Sequence, residues 1–270
     1  MIYNDNKYAN LVKTYLEMYS FQEPELELKI IDEILEDNTD KNTYQEVIKW
    51  LSEKRPIQYY ASYTYTLNKK IVIDKNVMIP GPEMDIFINT AKKYITDRFG
   101  KIIELCTGSG VVSVILGTEY KDVKIFASDI STKALEVAKK NIELYNLNNI
   151  ELLKGDLFDP FEKLNKDKFD LIVSNPPYAK SNDINKLSSQ LKDNAPIISL
   201  DGGDDGLCFY RKILRDAPRF LKKHGYVIFE NGEEQSEALQ ELLIKNNYKI
   251  VEVVYDHINI KRFVVARLEG

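Results

Sequence analysis

Apolar side chains recur every three or four positions through the first 60 residues, which is the spacing of amphipathic helices. Leu11, Tyr15, Leu16 and Tyr19 follow it, as do Leu28, Ile31 and Leu35. Pro24 suits the first turn of a helix, where its missing N–H costs no hydrogen bond. A further short helix is predicted over residues 44–54 and ends at Arg55 and Pro56. Residues 1–60 are therefore predicted to form a small helical domain.

The period changes to that of β-strands after residue 62. Residues 63–67, 71–73 and 77–79 are rich in β-branched and aromatic side chains, with turn-forming residues at 68–70 and 74–76. The segment ends at Pro80, Gly81 and Pro82, which cannot continue a central strand. Residues 61–80 are therefore predicted to be a β-hairpin connector.

From about residue 83 predicted strands and helices alternate. The predicted strands are 101–105, 124–128, 150–154, 169–173, 226–230, 250–254 and 263–266. A helix is predicted over 131–145, with Leu135, Ala138, Ile142 and Tyr145 on one face. Pro218 is predicted to kink or break the helix expected over 206–223. This alternation predicts an α/β domain over residues 81–270, with a mostly parallel sheet covered by helices on both faces.

Composition narrows the functional class. The chain of 270 residues is 44% hydrophobic and 29% charged, which fits a soluble globular protein. A net charge of -5 without a dense basic block argues against direct nucleic-acid binding. Two cysteines far apart, Cys106 and Cys208, suit a reduced cytoplasmic protein. No signal peptide, membrane-spanning run or metal site is expected, and we expect a monomer.

A glycine-containing loop directly follows the first strand of the sheet domain. It consists of Cys106, Thr107, Gly108, Ser109 and Gly110. Glycines let a backbone approach a ligand closely, and doubly wound sheets bind ligands beyond the carboxyl ends of their strands. The third glycine of a dinucleotide fingerprint is absent, and so is the Lys-Ser/Thr pair of a P-loop. The loop therefore favours an adenosine ligand without pyrophosphate, such as S-adenosylmethionine, over a plain strand-to-helix turn.

Acidic residues follow the next two strands. Asp129 lies about 20 positions after the loop, where a carboxylate can accept hydrogen bonds from both ribose hydroxyls. Asp156 and Leu157 form a polar and apolar pair suited to the edge and face of adenine. The predicted cofactor site consists of Glu104, Cys106, Thr107, Gly108, Ser109, Gly110, Asp129, Asp156, Leu157 and Asn175.

The apolar strand 169–173 is followed at once by Asn175, Pro176, Pro177 and Tyr178. Both prolines fix φ near -65°, and each restricts the residue before it, so the corner is stiff without a ligand. The Asn175 amide oxygen and the Pro176 carbonyl oxygen can accept both N–H groups of a planar –NH2, with Tyr178 covering its face. A proline pair can also be a simple edge turn, but beside an adenosine-type loop the catalytic interpretation is stronger.

A planar –NH2 is a poor nucleophile because its lone pair is delocalised. Accepting hydrogen bonds from both N–H groups increases the electron density on nitrogen, and holding it about 3–3.5 Å from a methyl donor supplies orientation. These four residues, Asn175 to Tyr178, are the predicted catalytic residues, and no His, Cys or Lys nucleophile is required.

With these motifs the chain resembles the class I S-adenosylmethionine-dependent amino-methyltransferases, whose signature is Asn/Asp/Ser-Pro-Pro-aromatic. More narrowly it resembles the HemK/PrmC family of release-factor glutamine methyltransferases. Residues 55–59 match the family's Arg-Pro-Ile/Leu-Gln-Tyr, and residues 78–83 and 195–207 match two further motifs. The family has arginine, threonine, glycine, glutamate and glycine at the positions of Gly81, Met84, Cys106, Ala195 and Asn259.

The resemblance implies methyl transfer from S-adenosylmethionine to the side-chain amide nitrogen of the glutamine in the Gly-Gly-Gln motif of class I release factors. The product would be S-adenosylhomocysteine, and the helical N-terminal domain would help dock the protein substrate. By the same match, residues 175–178 bind that glutamine, and residues 106–110, Asp129, Leu157 and Asn175 bind the cofactor.

Two alternatives remain open at this stage. A nucleic-acid N-methyltransferase could use the same corner on a flipped-out adenine or guanine amine. A non-catalytic relative could keep the fold without the activity, given Gly81, Met84 and Cys106. A nicotinamide dehydrogenase is disfavoured by the missing third glycine and by the Asn-Pro-Pro-Tyr corner.

Overall fold

The structure is a computed structural model that describes residues 24–37, 41–98, 100–164, 168–192 and 194–270. Its N-terminal part is helical: α1 is Pro24–Asp37, α2 is Lys41–Ser52 and α3 is Ile57–Ala61. They enclose a small core of their own, formed by Ile30, Ile31, Val47, Leu51 and Ile57. The helices predicted around residue 31 and over 44–54 are confirmed, whereas α3 was missed. The helix predicted around Tyr15 lies outside the described residues.

A β-hairpin follows the helical part. β1 (Tyr63–Thr66) pairs antiparallel with β2 (Lys69–Val72), with Thr66 opposite Lys69. The turn therefore consists of Leu67 and Asn68, whose φ values of 47° and 59° match the twist of a tight hairpin. The turn predicted at 68–70 therefore lies one residue too late. Leu67 was not included in it because leucine is not a residue type that favours a positive φ.

The third strand predicted for the connector, residues 77–79, is wrong, because this segment is irregular. Tyr59 Oη donates to the carbonyl of Val77 at 2.8 Å, so a side chain takes the place of a strand partner. The division into domains at residues 60 and 80 stays a prediction.

The large sheet has seven strands in the order β5-β4-β3-β6-β7-β9-β8. The strands are β3 (Lys101–Leu105), β4 (Lys124–Asp129), β5 (Ile150–Lys154), β6 (Phe169–Ser174), β7 (Leu221–Glu230), β8 (Tyr248–Tyr255) and β9 (Lys261–Leu268). β9 runs antiparallel to both of its neighbours, and the other pairs are parallel. The predicted α/β class is confirmed. β7 begins five residues earlier than predicted. Its first residues include the exposed and polar Lys222, Lys223 and His224, which do not have the apolar pattern of a buried strand.

Six helices accompany this sheet in the part of the chain that the structure describes. They are α4 (Met84–Tyr94), α5 (Val111–Glu119), α6 (Thr132–Leu144), α7 (Ser189–Lys192), α8 (Cys208–Phe220) and α9 (Ser236–Lys245). Ser131 caps α6 by accepting the N–H of Ala134 at 3.2 Å. The buried face of α6 is Ala134, Val137, Ala138 and Asn141, one position away from the predicted face. Pro218 lies in the last turn of α8, which continues to Phe220, so the predicted break is absent and the predicted kink stays a prediction.

Alternate residues of the central strands enter two separate cores. On β6, Leu171 and Val173 belong to one core, whereas Ile172 belongs to the other. All six residues of β6 are buried, as expected for a strand covered on both faces. None of the described helices is long and apolar enough to cross a membrane.

Candidate active site

The strand order changes direction between β3 and β6, and both the glycine loop and the Asn-Pro-Pro-Tyr corner begin there. Leu105, the last residue of β3, pairs with Ser174 of β6 and with Ser128 of β4. Ser174 Oγ donates to the Leu105 carbonyl at 3.0 Å, which fixes the two strand ends together. Cys106 and Asn175 therefore leave the sheet side by side, in the crevice where doubly wound sheets bind ligands.

The loop after β3 has the backbone conformation of a ligand cradle. Cys106, Gly108 and Gly110 have φ values of 59°, 55° and 77°. A Cβ on Gly108 would meet nothing within 4 Å, whereas one on Gly110 would lie 3.0 Å from the Cβ of Ala138. Gly108 therefore borders open space, and Gly110 allows α5 and α6 to pack closely.

Asp129, at the end of β4, holds this loop. Its Oδ2 accepts the N–H of Gly108 at 2.9 Å, and its Oδ1 accepts the N–H of Ser131 at 2.8 Å. Burial raises the pKa of Asp129, and these two hydrogen bonds oppose the rise. A carboxylate has about four acceptor positions, so two remain for ribose hydroxyls.

Glu104 lies in β3, one residue before the strand ends. It is buried, and its Oε2 accepts hydrogen bonds from the N–H of Ser113, at 3.0 Å, and from the Ser113 hydroxyl. Burial raises the pKa of Glu104 to about 7, against the opposing effect of the Ser113 and Thr107 hydrogen bonds. Glu104 thus ties the loop to the first turn of α5 and also borders the cavity.

Burial likewise raises the pKa of the Cys106 thiol, so this group stays protonated at neutral pH. A protonated thiol is not a nucleophile. The position of Cys106 therefore fits a wall of the site and not covalent catalysis.

Asn141 was not singled out in the sequence, although it connects three parts of the site. Its amide exchanges two hydrogen bonds with Val72 of β2, at 2.7 and 2.8 Å, and donates to the carbonyl of Ser109 at 2.9 Å. The side chain is fully buried. Asn141 therefore fixes the hairpin to the glycine loop. In the sequence, the sign of this role is that Asn141 is a polar residue on the apolar face of α6.

We expect Asn141→Ala to lower the free energy of unfolding by about 2–4 kcal/mol, because it leaves buried backbone groups of Val72 and Ser109 without partners. Urea unfolding of the purified protein measures this change. Glu143→Ala on the exposed side of α6 is the matched control, expected within about 0.5 kcal/mol of the unsubstituted protein. Equal losses in the two variants would contradict the linking role.

Hydrogen bonds of Tyr178 and close backbone packing hold the Asn-Pro-Pro-Tyr corner in place. Tyr178 Oη donates to Glu230 Oε1 at 3.1 Å, and the Tyr178 carbonyl accepts from Gln235 Nε2 at 2.7 Å. A Cβ on Gly202 or on Gly206 would lie within 2.6 Å of the Tyr178 backbone. The glycine-rich segment 202–206 is therefore needed for close packing against the corner.

The cavity at this switch point has a volume of about 260 Å³. Ten of the predicted site residues border it: Glu104, Cys106, Thr107, Gly108, Ser109, Asp129, Asp156, Leu157, Asn175 and Pro177. The predicted residues Gly110, Pro176 and Tyr178 do not border it: Gly110 caps α5, Pro176 is buried, and Tyr178 bonds to Glu230. Their predicted contacts with ligand stay predictions.

One wall of the cavity was missed in the sequence. It consists of connector residues Asn76, Val77, Met78 and Pro80 together with Met84. A second wall consists of Pro196, Ile198, Ser199, Phe209 and Lys212. Ile198 is 55% exposed, so an apolar side chain stands at the mouth. The connector and the segment around Pro196 therefore both border the cavity.

The residues present fit an adenosine-type cofactor. Open space at Gly108, the remaining acceptor positions of Asp129, and Asp156 beside Leu157 together offer groups for ribose and adenine. Lys212 Nζ lies 3.9 Å from Asp156 Oδ2, so a cation stands beside this carboxylate at the edge of the cavity.

Comparison with known proteins decides the family. Residues 84–203 match the family model described as methyltransferase small domain. The chain is 36% identical over 230 residues to the release factor glutamine methyltransferase of Thermodesulfovibrio yellowstonii, covering 84% of this chain and 81% of that one. It is 34% identical to the protein of the same name from Clostridium acetobutylicum, covering 86% and 81%. The chain belongs to the release factor glutamine methyltransferase family.

A solved structure adds support for the fold alone. A methyltransferase from Pyrococcus furiosus superposes with a TM-score of 0.55 at 21% identity, covering 74% of this chain and 89% of that one. This agreement concerns the arrangement of strands and helices and not the substrate.

The departures from the motifs of the release factor glutamine methyltransferase family have local explanations in two cases. Asn259 has a φ of 65°, which asparagine tolerates better than other non-glycine residues. Gly81 and Ala195, where the family has arginine and glutamate, border the same small cavity of about 70 Å³. The two charged residues are thus lost together from one place.

Proposed function

We propose that this protein transfers a methyl group from S-adenosylmethionine to the side-chain amide nitrogen of the glutamine in the Gly-Gly-Gln motif of class I release factors. The observation that carries the proposal is the pairing of Leu105 with Ser174, which puts the cofactor loop and the Asn-Pro-Pro-Tyr corner beside each other. The names of the relatives support the choice of substrate.

S-adenosylmethionine supplies a methyl group on a positively charged sulfur, which becomes a neutral thioether once the methyl has left. The loop from Cys106 to Gly110 and the carboxylate of Asp129 bind its adenosine part. Asp156 and Leu157 receive the adenine. Held there, the methyl donor would lie beside the corner that follows β6, because Leu105 pairs with Ser174.

The corner binds and orients the glutamine amide. The Asn175 oxygen accepts one N–H, and the Pro176 carbonyl, which accepts no hydrogen bond from any described residue, takes the other. Two accepted hydrogen bonds place electron density on the nitrogen and fix its approach to the methyl group. As the bond from nitrogen to the methyl carbon would form and the carbon–sulfur bond would break, the nitrogen would lose one proton to water, and buried Pro176 and Pro177 keep the acceptors in place.

The entrance fits a protein loop better than a free amino acid. Connector residues and the exposed Ile198 both border the cavity, so its rim carries apolar side chains. A glycine-rich loop carrying one glutamine can enter between such walls, because glycines present little side-chain bulk. We infer that the helical segment before the connector contacts the rest of the release factor.

The test uses the purified protein, labelled S-adenosylmethionine and a class I release factor. We expect the label on the glutamine of the Gly-Gly-Gln motif, located by peptide mass analysis, and none on a factor with that glutamine replaced by alanine. Equal labelling of the alanine factor would overturn the assignment. Labelling of RNA or DNA oligonucleotides instead would favour a nucleic-acid substrate, and failure to bind S-adenosylmethionine in calorimetry would favour a non-catalytic role.

A further inference from the structure

A cluster of aromatic and acidic side chains joins helix α1 to the β-hairpin. Tyr63 and Tyr65 lie two positions apart on β1, so their side chains are on the same face of the strand. Tyr63 Oη donates to Glu33 Oε2 at 2.8 Å, and Tyr65 Oη donates to Glu33 Oε1 at 2.9 Å. The two rings meet edge to face, with their centroids 5.9 Å apart. We call these three residues the carboxylate clamp.

Two lysines lie over the rings of the carboxylate clamp. Lys29 Nζ of α1 is 3.6 Å from the centroid of the Tyr65 ring, and Lys70 Nζ of β2 is 3.6 Å from the centroid of the Tyr63 ring. A cation over an aromatic ring is attracted by the negative face of the ring. Because the lysines belong to the helix and to the hairpin, these contacts support the same connection.

The hairpin is in turn fixed to the cofactor side of the sheet domain. The side chain of Asn141 bonds to both backbone groups of Val72 and to the Ser109 carbonyl. Tyr145 Oη donates to the carbonyl of Lys70 at 2.9 Å. A continuous series of hydrogen bonds therefore runs from α1 through the hairpin and α6 to the glycine loop.

The helical part lies beside the site but has its own apolar core. Among the described residues, that core is separate from the two cores of the sheet domain. Glu27 of α1 borders the small cavity, and Met78 and Pro80 border both cavities. α1 has 14 residues and is therefore about 21 Å long, so a tilt of about 10° would move its far end by about 4 Å. The angle at which α1 is held thus decides where a bound partner would lie.

We propose that Glu33 is a positioning residue that holds the helical part, through Tyr63 and Tyr65, where a release factor contacts it and the Asn-Pro-Pro-Tyr corner together. This inference rests on the proposed function. A substrate held at two places binds more tightly than at one, because the second contact forms within a single complex, and the gain depends on the geometry between the two places. The clamp therefore acts on binding of the whole release factor and not on methyl transfer.

Glu33→Ala tests the inference because it removes the acceptor of both hydroxyls. We expect KM for the release factor to rise about tenfold, while kcat stays within about twofold and affinity for S-adenosylmethionine is unchanged. On a Gly-Gly-Gln peptide too short to reach α1, kcat/KM should equal that of the unsubstituted protein. Glu36→Ala, an exposed carboxyl on the same helix, is the control and leaves KM unchanged.

Substitutions on the strand side separate positioning from general damage. Tyr63→Phe together with Tyr65→Phe removes both donors but keeps both rings, and it should raise KM as much as Glu33→Ala does. All three substitutions combined should raise KM no further, because each set removes the same interaction. Glu33→Gln keeps one acceptor oxygen and offers an –NH2 to the other hydroxyl oxygen, so KM should stay within about threefold of the unsubstituted value.

A KM for Glu33→Ala within about twofold of the unsubstituted protein would overturn the inference. Equal losses on the peptide and on the release factor would also overturn it, since they would show that the substitution damages the whole enzyme. If the unsubstituted protein itself fails to methylate the release factor, the proposed function fails instead. The two failures are therefore distinguishable in a single set of assays.

Discussion

Asn175→Ala is expected to reduce methylation of the release factor by about 10⁴-fold, because a site built to hydrogen-bond a group loses that much when the pairing is removed. The substrate –NH2 loses one of its two acceptors. Affinity for S-adenosylmethionine should stay within about fivefold, because the loop after β3 and Asp129 still hold the adenosine part.

The rate is measured by transfer of label from S-adenosylmethionine to the release factor under saturating conditions, and cofactor affinity is measured by calorimetry. Asn182→Ala is the matched control, since Asn182 is exposed and lies outside the cavity. It should leave both quantities unchanged. A rate for Asn175→Ala within about tenfold of the unsubstituted protein would remove Asn175 from the catalytic role.

Asp129→Ala is expected to weaken binding of S-adenosylmethionine by at least about 100-fold, because Asp129 would accept two hydrogen bonds from the ribose and hydrogen bonds to charged groups contribute about 1.5–3 kcal/mol each. The substitution removes the acceptor proposed for the ribose. It also leaves the N–H groups of Gly108 and Ser131 without their partner, which loosens the loop. Turnover at saturating cofactor should fall much less than affinity.

Calorimetric titration with S-adenosylmethionine measures the change. Asp129→Asn tests the acceptor more narrowly, since the amide keeps the size of the side chain but can accept on one side only. Asp122→Ala, an exposed carboxyl just before β4, is the control for loss of charge. Affinity of Asp129→Ala within about threefold of the unsubstituted protein would show that the ribose is held elsewhere.

Much of the sheet domain could be predicted from sequence because its signals are local. Strands such as 169–173 are short apolar runs that end in polar or glycine residues, and the residues that end them meet at one edge of a parallel sheet. Asp129 and Asn175 were therefore predicted together, and the structure places both around one cavity. Their contacts with ligand stay predictions.

The supporting residues could not be found in this way because their partners are distant in sequence. Asn141 bonds to Val72, 69 positions away, and Glu230 bonds to Tyr178, 52 positions away. A polar residue on the apolar stripe of α6 makes Asn141 unusual, but no local pattern identifies the distant partner of either residue. The connector wall was missed for another reason. Residues 77–79 have the composition of a strand, but the hydroxyl of Tyr59 donates a hydrogen bond to the Val77 carbonyl, and the segment is irregular. Tertiary contacts override strand propensity there.

The central claim is that the corner after β6 holds the glutamine amide beside the methyl donor. A crystal structure with S-adenosylhomocysteine and a Gly-Gly-Gln peptide tests it most directly. The account predicts the glutamine nitrogen within about 2.7–3.2 Å of both Asn175 Oδ1 and the Pro176 carbonyl, with the cofactor sulfur in line behind it. A peptide bound with its glutamine outside this crevice, or with Asn175 donating to it, would contradict the account.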